Sequence, residues 1–194
     1  MSAAGLGRPT GLGLAGESGG ILPDEAFKRR LGQGWYPGDT WSLGIGQMAL
    51  DLTPLQAAVM IGAIASGRVL RPRLVFDEPL ADRPLGAESA ALARVRAALL
   101  DVVHGPRGTA RGIRELVDLE PPVAGKTGTA QAGARGDHGW FVAYAPADRP
   151  EVAVAVLVEH LKSGVHGAQA AGPVAGGIIA AYYEQAGQRP VHRP

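Results

Sequence analysis

Cysteine is absent from the 194 residues of the chain. Its absence excludes disulfide bonds, a thiolate nucleophile and zinc sites with cysteine ligands. Excess charge is missing as well, because 19 Lys and Arg residues and 18 Asp and Glu residues leave a net charge of +1. Nucleic-acid binding needs a concentrated basic face, whereas the basic residues here lie singly apart from Lys28, Arg29 and Arg30. We therefore expect no nucleic-acid partner.

A long apolar run is also lacking. The uncharged apolar segment at residues 52–67 includes Pro54, Gln56 and Ser66 and is too short to cross about 30 Å of hydrocarbon. The first residues after Met1 do not form the basic and then apolar pattern of a signal peptide. If the protein is held in a membrane, we expect the anchor to lie outside this sequence.

The first half of the sequence predicts helices after an irregular opening. Residues 1–40 are rich in glycine and proline with little periodicity, which indicates loops. A helix is expected to begin after Thr53 and to end at Gly67, because threonine caps helix starts and glycine favours helix ends. The apolar stripe of this helix is Leu55, Val59, Met60, Ala63 and Ile64.

Two further elements are predicted before the middle of the chain. Residues 69–76 form at most a short edge strand, because Pro72 interrupts them. A second helix is expected over residues 88–104 and should end at Gly105 and Pro106. Its predicted apolar side is made of Leu92, Val95, Leu99, Leu100 and Val103.

From residue 123 the pattern changes to strands. Residues 123–131, 139–145 and 152–159 are three β-compatible runs, separated by turn-forming residues at 133–136 and 146–150. They predict an antiparallel meander, followed by a last helix over residues 170–185. Helices, consecutive strands and a closing helix together predict an α+β fold with an antiparallel sheet flanked by helices.

Several short motifs fit by letter but not by context. Residues 11–16 match a dinucleotide fingerprint without a strand before them. Residues 16–20 match the nucleophile elbow of α/β-hydrolases around Ser18, again without the required strand and helix. Residues 125–127 resemble the end of a phosphate-binding loop, but Glu120 stands where that loop needs glycine. The five histidines show no helical pair that would predict a metal site.

The sequence around Lys126 keeps its meaning in context. Strand alternation places Thr127 and Thr129 on one face, and Gly128 between them permits close approach of another backbone. A cation, two hydroxyl groups and the free amides of an edge strand suit a carboxylate and a developing oxyanion. An ordinary strand with an exposed lysine fits the residues equally well, so the residues alone leave both readings open.

The motif resembles the third of the three motifs of serine penicillin-recognising enzymes, which combine Ser-x-x-Lys, Ser-x-Asn and Lys-Thr-Gly. From Gly5 to about Tyr183 the chain is similar to the class B, elongation-type penicillin-binding proteins, the branch called penicillin-binding protein 2. The segments that carry this resemblance, in order along the chain, are residues 6–11, 16–18, 34–40, 44–47, 52–56 and 138–146.

The chain also departs from the family pattern. No serine has a lysine three positions after it, and asparagine is absent, so Ser-x-x-Lys and Ser-x-Asn do not occur. In the family both motifs precede the segment that matches Gly5. We therefore expect residues 1–186 to be the C-terminal portion of a transpeptidase domain whose N-terminal motifs are missing, and residues 187–194 to be a loose tail.

The resemblance implies a peptidoglycan D,D-transpeptidase of cell elongation, a serine acyltransferase that uses no cofactor or metal. It assigns Lys126 to proton transfer and to the substrate carboxylate, which the hydroxyls of Thr127 and Thr129 would also bind beside Gly128. The N–H of Thr129 would be one oxyanion donor.

The implied partners are peptidoglycan stem peptides, β-lactams and a membrane glycosyltransferase of the elongation machinery. The implied location is the extracytoplasmic side of the cytoplasmic membrane. Without the serine, the chain alone is expected to be inactive. The alternatives are a non-catalytic partner-binding remnant and an α/β-hydrolase that uses Ser18.

Overall fold

The computed structural model describes residues 1–75, 77–131 and 136–187. After a short 3-10 helix at Ser2–Ala4, the elements in chain order are α1 Glu25–Arg30, α2 Pro37–Gly44, α3 Pro54–Ser66, β1 Arg68–Leu70, β2 Asp82–Pro84, α4 Ser89–His104, α5 Arg114–Val117, β3 Ala124–Ala130, β4 His138–Ala145, β5 Val152–Val158 and α6 Gly167–Gln185. No helix in these ranges has the length and apolar character needed to cross a membrane.

Helix α3 begins and ends as the sequence predicts. The Thr53 hydroxyl accepts a hydrogen bond from the backbone N–H of Gln56 at 3.1 Å, and the Gln56 side chain accepts one from the Thr53 N–H at 2.9 Å. This reciprocal capping satisfies two helix-end donors. At the other end, Gly67 adopts a left-handed conformation with φ of 79°, which glycine tolerates without strain.

The side chain of Gln56 also ties the opening segment to α3. Its amide donates to the carbonyl of Arg8 at 2.9 Å and to that of Gly19 at 2.8 Å. Only 1% of Gln56 is exposed, so these two bonds satisfy a polar group that would be costly to bury alone.

Helix α4 confirms the predicted range, but one residue of its apolar side was assigned wrongly. Val95 is 43% exposed, whereas Leu99 and Val103 are buried. The buried face includes Arg96 instead, whose Nε donates to the carbonyl of Ile64 at 2.8 Å. Val95 is four residues before Leu99, but at 100° per residue it lies on the far side of Leu99 from Val103 and Arg96, at the exposed edge of this helix face.

The three predicted strands form the expected antiparallel meander, with β4 in the centre and β3 and β5 on its two sides. Each strand boundary lies within one residue of the prediction. Lys126 lies opposite Val142, and Thr129 lies opposite Gly139. Part of the predicted turn at 133–136 falls outside the described residues.

Side chains of β4 alternate between two cores. Phe141 packs into a core with α6, while Val142 and Tyr144 pack into another with α3 and α4. Alternation on a strand places such neighbours on opposite faces. The sheet is therefore covered on both faces, and the predicted α+β fold, with helices flanking an antiparallel sheet, is confirmed.

Helix α6 begins at Gly167, three residues before the predicted start at 170. Four of its residues lie at intervals of four and are almost fully buried against the sheet: Ala171, Ala175, Ile179 and Tyr183. The helix ends at Gln185, and residues 188–194 of the predicted loose tail lie outside the described residues.

The opening segment contains more structure than the sequence predicts. Helix α1 is capped by Asp24, whose carboxylate accepts from the N–H of Phe27 at 2.6 Å. An ion pair of 3.2 Å between Lys28 and Asp39 joins α1 to α2. These helices, and α5, are too short to show a repeating apolar stripe, so the prediction of loops over residues 1–40 was wrong for α1 and α2.

The strand predicted within residues 69–76 is real but shorter. It is β1, which pairs antiparallel with β2 through Val69 opposite Arg83. The strand ends before Pro72, as the missing N–H of proline requires. Phe76, the last residue of the predicted strand, lies outside the described residues.

Candidate active site

Strand β3 carries the Lys-Thr-Gly motif at the edge of the sheet. In the described part of the chain its sheet neighbour is β4 alone, so its other edge is not paired with a strand. Lys126 is exposed there. Its Nζ donates to the carbonyl of Thr127 at 2.6 Å, which leaves two of the three ammonium donors for other acceptors.

Thr127 and Thr129 share one face of β3, as predicted. Thr127 lies opposite Phe141 and Thr129 opposite Gly139, on the side of the sheet that α6 covers. Lys126 lies opposite Val142, so its side chain leaves the strand on the other face of the sheet. The ammonium group and the two hydroxyl groups can meet only at the open edge of the strand.

Neighbouring side chains leave little room for a Cβ at two glycines of β3. A Cβ added at Gly125 would lie 2.8 Å from Cζ of Phe141, and one at Gly128 would lie 3.2 Å from Cβ of Trp140. The prediction that Gly128 itself permits a close backbone approach was wrong, because a Cβ added there would meet the side chain of Trp140. The close approach to β3 is made possible by Gly167 at the start of α6, where an added Cβ would lie 1.9 Å from the carbonyl oxygen of Gly128. A substitution at Gly167 would therefore push α6 away from β3.

A cavity of about 360 Å³ opens between the threonine face of β3 and the start of α6. Its lining is Thr109, Thr127, Thr129, His166, Gly167, Ala168 and Gln169. The partial positive charge of a helix N-terminus favours anions. The cavity presents three hydroxyl groups beside the N-terminus of α6. Such a lining is suited to a carboxylate.

Two hydrogen bonds link the threonines of β3 to the rest of this cavity. The hydroxyl oxygens of Thr109 and Thr127 lie 2.9 Å apart. The hydroxyl oxygen of Thr129 accepts from the N–H of Gly167 at 3.4 Å. Each β3 hydroxyl group is thus in contact with a group from another element.

Sequence reasoning missed Thr109 and the start of α6. Thr109 lies in a turn, and its hydroxyl contacts that of Thr127, which is 18 residues away in the sequence. No local sequence pattern reveals such a contact. The start of α6 carried a weak signal, since His166 and Gln169 have the spacing of a capping box. Histidine in place of serine or threonine at the first position concealed it.

The other candidate sites do not form. The hydroxyl of Ser18 accepts from the N–H of Gly20 at 3.1 Å, and residues 8–20 contain neither strand nor helix. The strand–turn–helix of a nucleophile elbow is therefore not present around Ser18. His138 and His160 contact each other with ring centroids 5.0 Å apart, but no cluster of three metal-binding side chains occurs within residues 1–75, 77–131 and 136–187.

Comparisons with known proteins agree with the motif. The penicillin binding protein transpeptidase domain family matches residues 1–181. The peptidoglycan D,D-transpeptidase MrdA of Acinetobacter baumannii is 36% identical over 202 residues, covering 90% of this chain and 29% of the relative. The chain thus spans less than a third of the length of this relative.

Solved structures show the same fold. Penicillin-binding protein 2 (PBP2) of Pseudomonas aeruginosa superposes with a TM-score of 0.78 and 38% identity, over 93% of this chain and 42% of that chain. PBP2 of Helicobacter pylori, solved as a complex with MreC, gives a TM-score of 0.82 and 30% identity over 96% of this chain and 34% of that chain. The chain therefore belongs to the penicillin-binding protein transpeptidase domain family.

Proposed function

We propose that the chain supplies the Lys-Thr-Gly half of the active site of a peptidoglycan D,D-transpeptidase that works in cell elongation. Residues 1–186 would be the C-terminal portion of its transpeptidase domain. The observation that carries this proposal is the placement of Lys126, Thr127 and Thr129 on the open edge of β3, in a chain whose family match covers residues 1–181.

The proposed substrate group at β3 is the terminal carboxylate of a peptidoglycan stem peptide, or the carboxylate of a β-lactam. Thr127 and Thr129 donate hydrogen bonds from the cavity side, and Lys126 adds positive charge from the edge. Hydrogen bonds to a charged acceptor are roughly twice as strong as neutral ones, so three such donors can hold the carboxylate firmly.

The backbone N–H of Thr129 is the proposed oxyanion donor. Peptide groups two residues apart on a strand point to the same side. The carbonyl of Thr127 accepts a hydrogen bond from the ammonium group of Lys126. This contact supports a Thr127 carbonyl that points toward the open edge of β3. The N–H of Thr129 then faces the same space, where a developing oxyanion could accept from it.

The nucleophile of this proposal lies outside the 194 residues. In the complete domain, the serine of Ser-x-x-Lys attacks the penultimate D-alanine carbonyl and expels the terminal D-alanine. An amine from a neighbouring peptide then attacks the acyl-enzyme and forms the crosslink. The second oxyanion donor belongs to that serine, and loss of one such donor typically costs about 100- to 1,000-fold in rate.

The family also suggests where the protein works. We place the domain on the extracytoplasmic side of the cytoplasmic membrane, with its anchor outside these residues, and with a membrane glycosyltransferase as partner. The H. pylori relative was solved as a complex with MreC. This supports the proposal that the present protein also assembles with other proteins.

The test is acylation of the complete domain, which joins these residues to the Ser-x-x-Lys and Ser-x-Asn segments, by a fluorescent penicillin. Lys126→Ala should lower the acylation rate constant by about 100-fold or more, the scale of a lost electrostatic group in such a site. Lys126→Arg should be intermediate, because it keeps the charge but changes size and titration.

Lys162→Ala is the matched control, since it removes a lysine that lies outside β3 and its Lys-Thr-Gly motif, and Lys28→Ala is a second one. Equal acylation of all four variants would leave β3 as an ordinary strand. A complete domain that no penicillin labels would favour a non-catalytic partner-binding protein.

A further inference from the structure

Thr109 is held in a fixed position beside β3. It stands between Gly108 and Ala110 in the turn that follows α4, and the N–H of Ala110 donates to the carbonyl of Val102 at 2.9 Å. Ala110 is fully buried, and a Cβ on Gly108 would lie 2.4 Å from the carbonyl oxygens of Asp101 and Val102. The turn is therefore packed directly against the end of α4.

The same region of α4 also contacts the start of β3. Nε2 of His104 lies 3.1 Å from the carbonyl oxygen of Val123. The end of α4 with its following turn is thus joined to the start of β3 at two places, by the contact of His104 with Val123 and by the pair of hydroxyl groups on Thr109 and Thr127. The distance of 2.9 Å between these hydroxyl oxygens follows from backbone positions that are fixed on both sides.

A hydroxyl group has one proton to donate and two lone pairs to accept with. If Thr109 donates to Thr127, the proton of Thr127 is left to donate to an anion in the cavity. If Thr127 donates to Thr109, Thr127 turns only lone pairs toward that anion. An anion selects the first arrangement, and donors in series strengthen one another.

The second threonine of β3 shows the same arrangement with a backbone donor. The Thr129 oxygen accepts from the N–H of Gly167, so its own proton is also left to donate into the cavity. Both threonines of the motif therefore have a donor behind them, and both can donate to one carboxylate.

We propose that Thr109 is a positioning residue for substrate binding: its hydroxyl donates to Thr127 and so turns the Thr127 proton toward the carboxylate of the substrate. This inference rests on the proposed function and assigns to it a residue outside the Lys-Thr-Gly motif. Thr109 acts through Thr127 and makes no covalent bond in the reaction.

The experiment measures acylation rate constants of the complete domain with benzylpenicillin and with its methyl ester, which lacks the anionic carboxylate. Thr109→Val should slow acylation by benzylpenicillin about five- to tenfold, the effect of one hydrogen bond to a polar group, and acylation by the ester less than about twofold. Thr109→Ser, which keeps the hydroxyl, should restore the wild-type rate. In a Thr127→Val background, Thr109→Val should have no further effect.

Each other result rejects the inference. Equal slowing of both probes, or failure of Thr109→Ser to restore the rate, would show that Thr109 only supports the fold. A wild-type rate for Thr109→Val, with Lys126→Ala still impaired, would reject this role while the proposed function stands. If the complete domain is not labelled at all, the proposed function fails and this role fails with it.

Discussion

Residues 89–187 and residues 1–51 bury their apolar side chains very differently. In the later region Phe141 and Ile179 are fully buried between the sheet and α6. In the earlier region Trp41 is 74% exposed and Ile45 is 78% exposed, and Tyr36 beside them is largely exposed too. The later region forms a core within the described residues, while the earlier region presents an apolar surface on α2.

The earlier region is nevertheless locally ordered by polar contacts. Nε1 of Trp35 donates to the Thr40 hydroxyl at 2.9 Å, and the N–H of Tyr36 donates to the Asp39 carboxylate at 2.9 Å. A segment that is held in shape while its large apolar side chains stay exposed is typical of an interaction surface. We therefore predict that α2 packs against the rest of the proposed transpeptidase domain.

The largest expected difference between the chain and the complete domain is in labelling by penicillin. The 194-residue chain should form no covalent adduct, because no serine in its sequence has the lysine of Ser-x-x-Lys. Intact-mass measurement after incubation with benzylpenicillin checks this. A stable stoichiometric adduct at Ser18, in the earlier region, would contradict both the comparison and the proposed domain.

A second difference concerns Trp41. In the chain alone Trp41→Ala should change the free energy of unfolding by less than about 0.5 kcal/mol, as for other exposed positions. In the complete domain the same change should cost about 3 to 5 kcal/mol, the usual range for a buried tryptophan. Denaturant unfolding of both proteins measures the two values.

Ile179→Ala is the matched control for Trp41→Ala. Ile179 is fully buried in the later region, so its loss should cost about 2 to 5 kcal/mol in both proteins. A small effect of Trp41→Ala in both proteins would show that α2 stays exposed in the complete domain, and the proposed packing would be wrong.

The chain alone should also bind hydrophobic dyes through α2. The sheet is not the source of that surface, because Phe141 and Tyr144 are fully buried on its two faces. Dye fluorescence should therefore fall on Trp41→Ala and stay unchanged on Thr129→Ser. Fluorescence that does not depend on Trp41 would place the exposed surface elsewhere.

The smallest expected effect lies inside the later region, at Tyr183. Burial raises the pKa of the Tyr183 hydroxyl to about 12, and this hydroxyl has no hydrogen-bond partner within the described residues. Because the unfolded chain loses its proton first, near pH 10, the stability linked to Tyr183 should be lost between pH 10 and pH 12. Below pH 10 it is fully present.

Tyr183→Phe should be nearly neutral at pH 7, since it removes an unpaired polar atom. It should also remove this part of the alkaline loss of stability, which urea unfolding at pH 7 to 12 would detect. An unchanged alkaline decline in the phenylalanine variant would contradict the assignment to Tyr183.

Prediction from the sequence succeeded where the signal is local. Thr53 and Gly67 mark the ends of α3 by their own capping chemistry, and turn-forming residues before and after the β4 run mark the limits of that strand. It failed at α1 and α2, where the helices have six and eight residues and are held by side-chain contacts such as Lys28 with Asp39. Short helices of this kind carry no periodic pattern.

For the candidate site, sequence reasoning identified the face that Thr127 and Thr129 share, but not what lies opposite them. The partners of their hydroxyls, Thr109 and Gly167, come from other elements. Such contacts depend on how the turn after α4 and the start of α6 pack against the sheet, which a single sequence does not encode in any short motif.

The most direct measurement is a crystal structure of the complete domain acylated by benzylpenicillin. We expect the penicillin carboxylate to lie about 3 Å from the hydroxyl oxygens of Thr127 and Thr129, at hydrogen-bond distance. We also expect the acyl carbonyl oxygen to accept a hydrogen bond from the N–H of Thr129. An adduct whose carboxylate contacts neither threonine, with Lys126 directed away from it, would contradict the assignment of β3 as the substrate-binding half of the site.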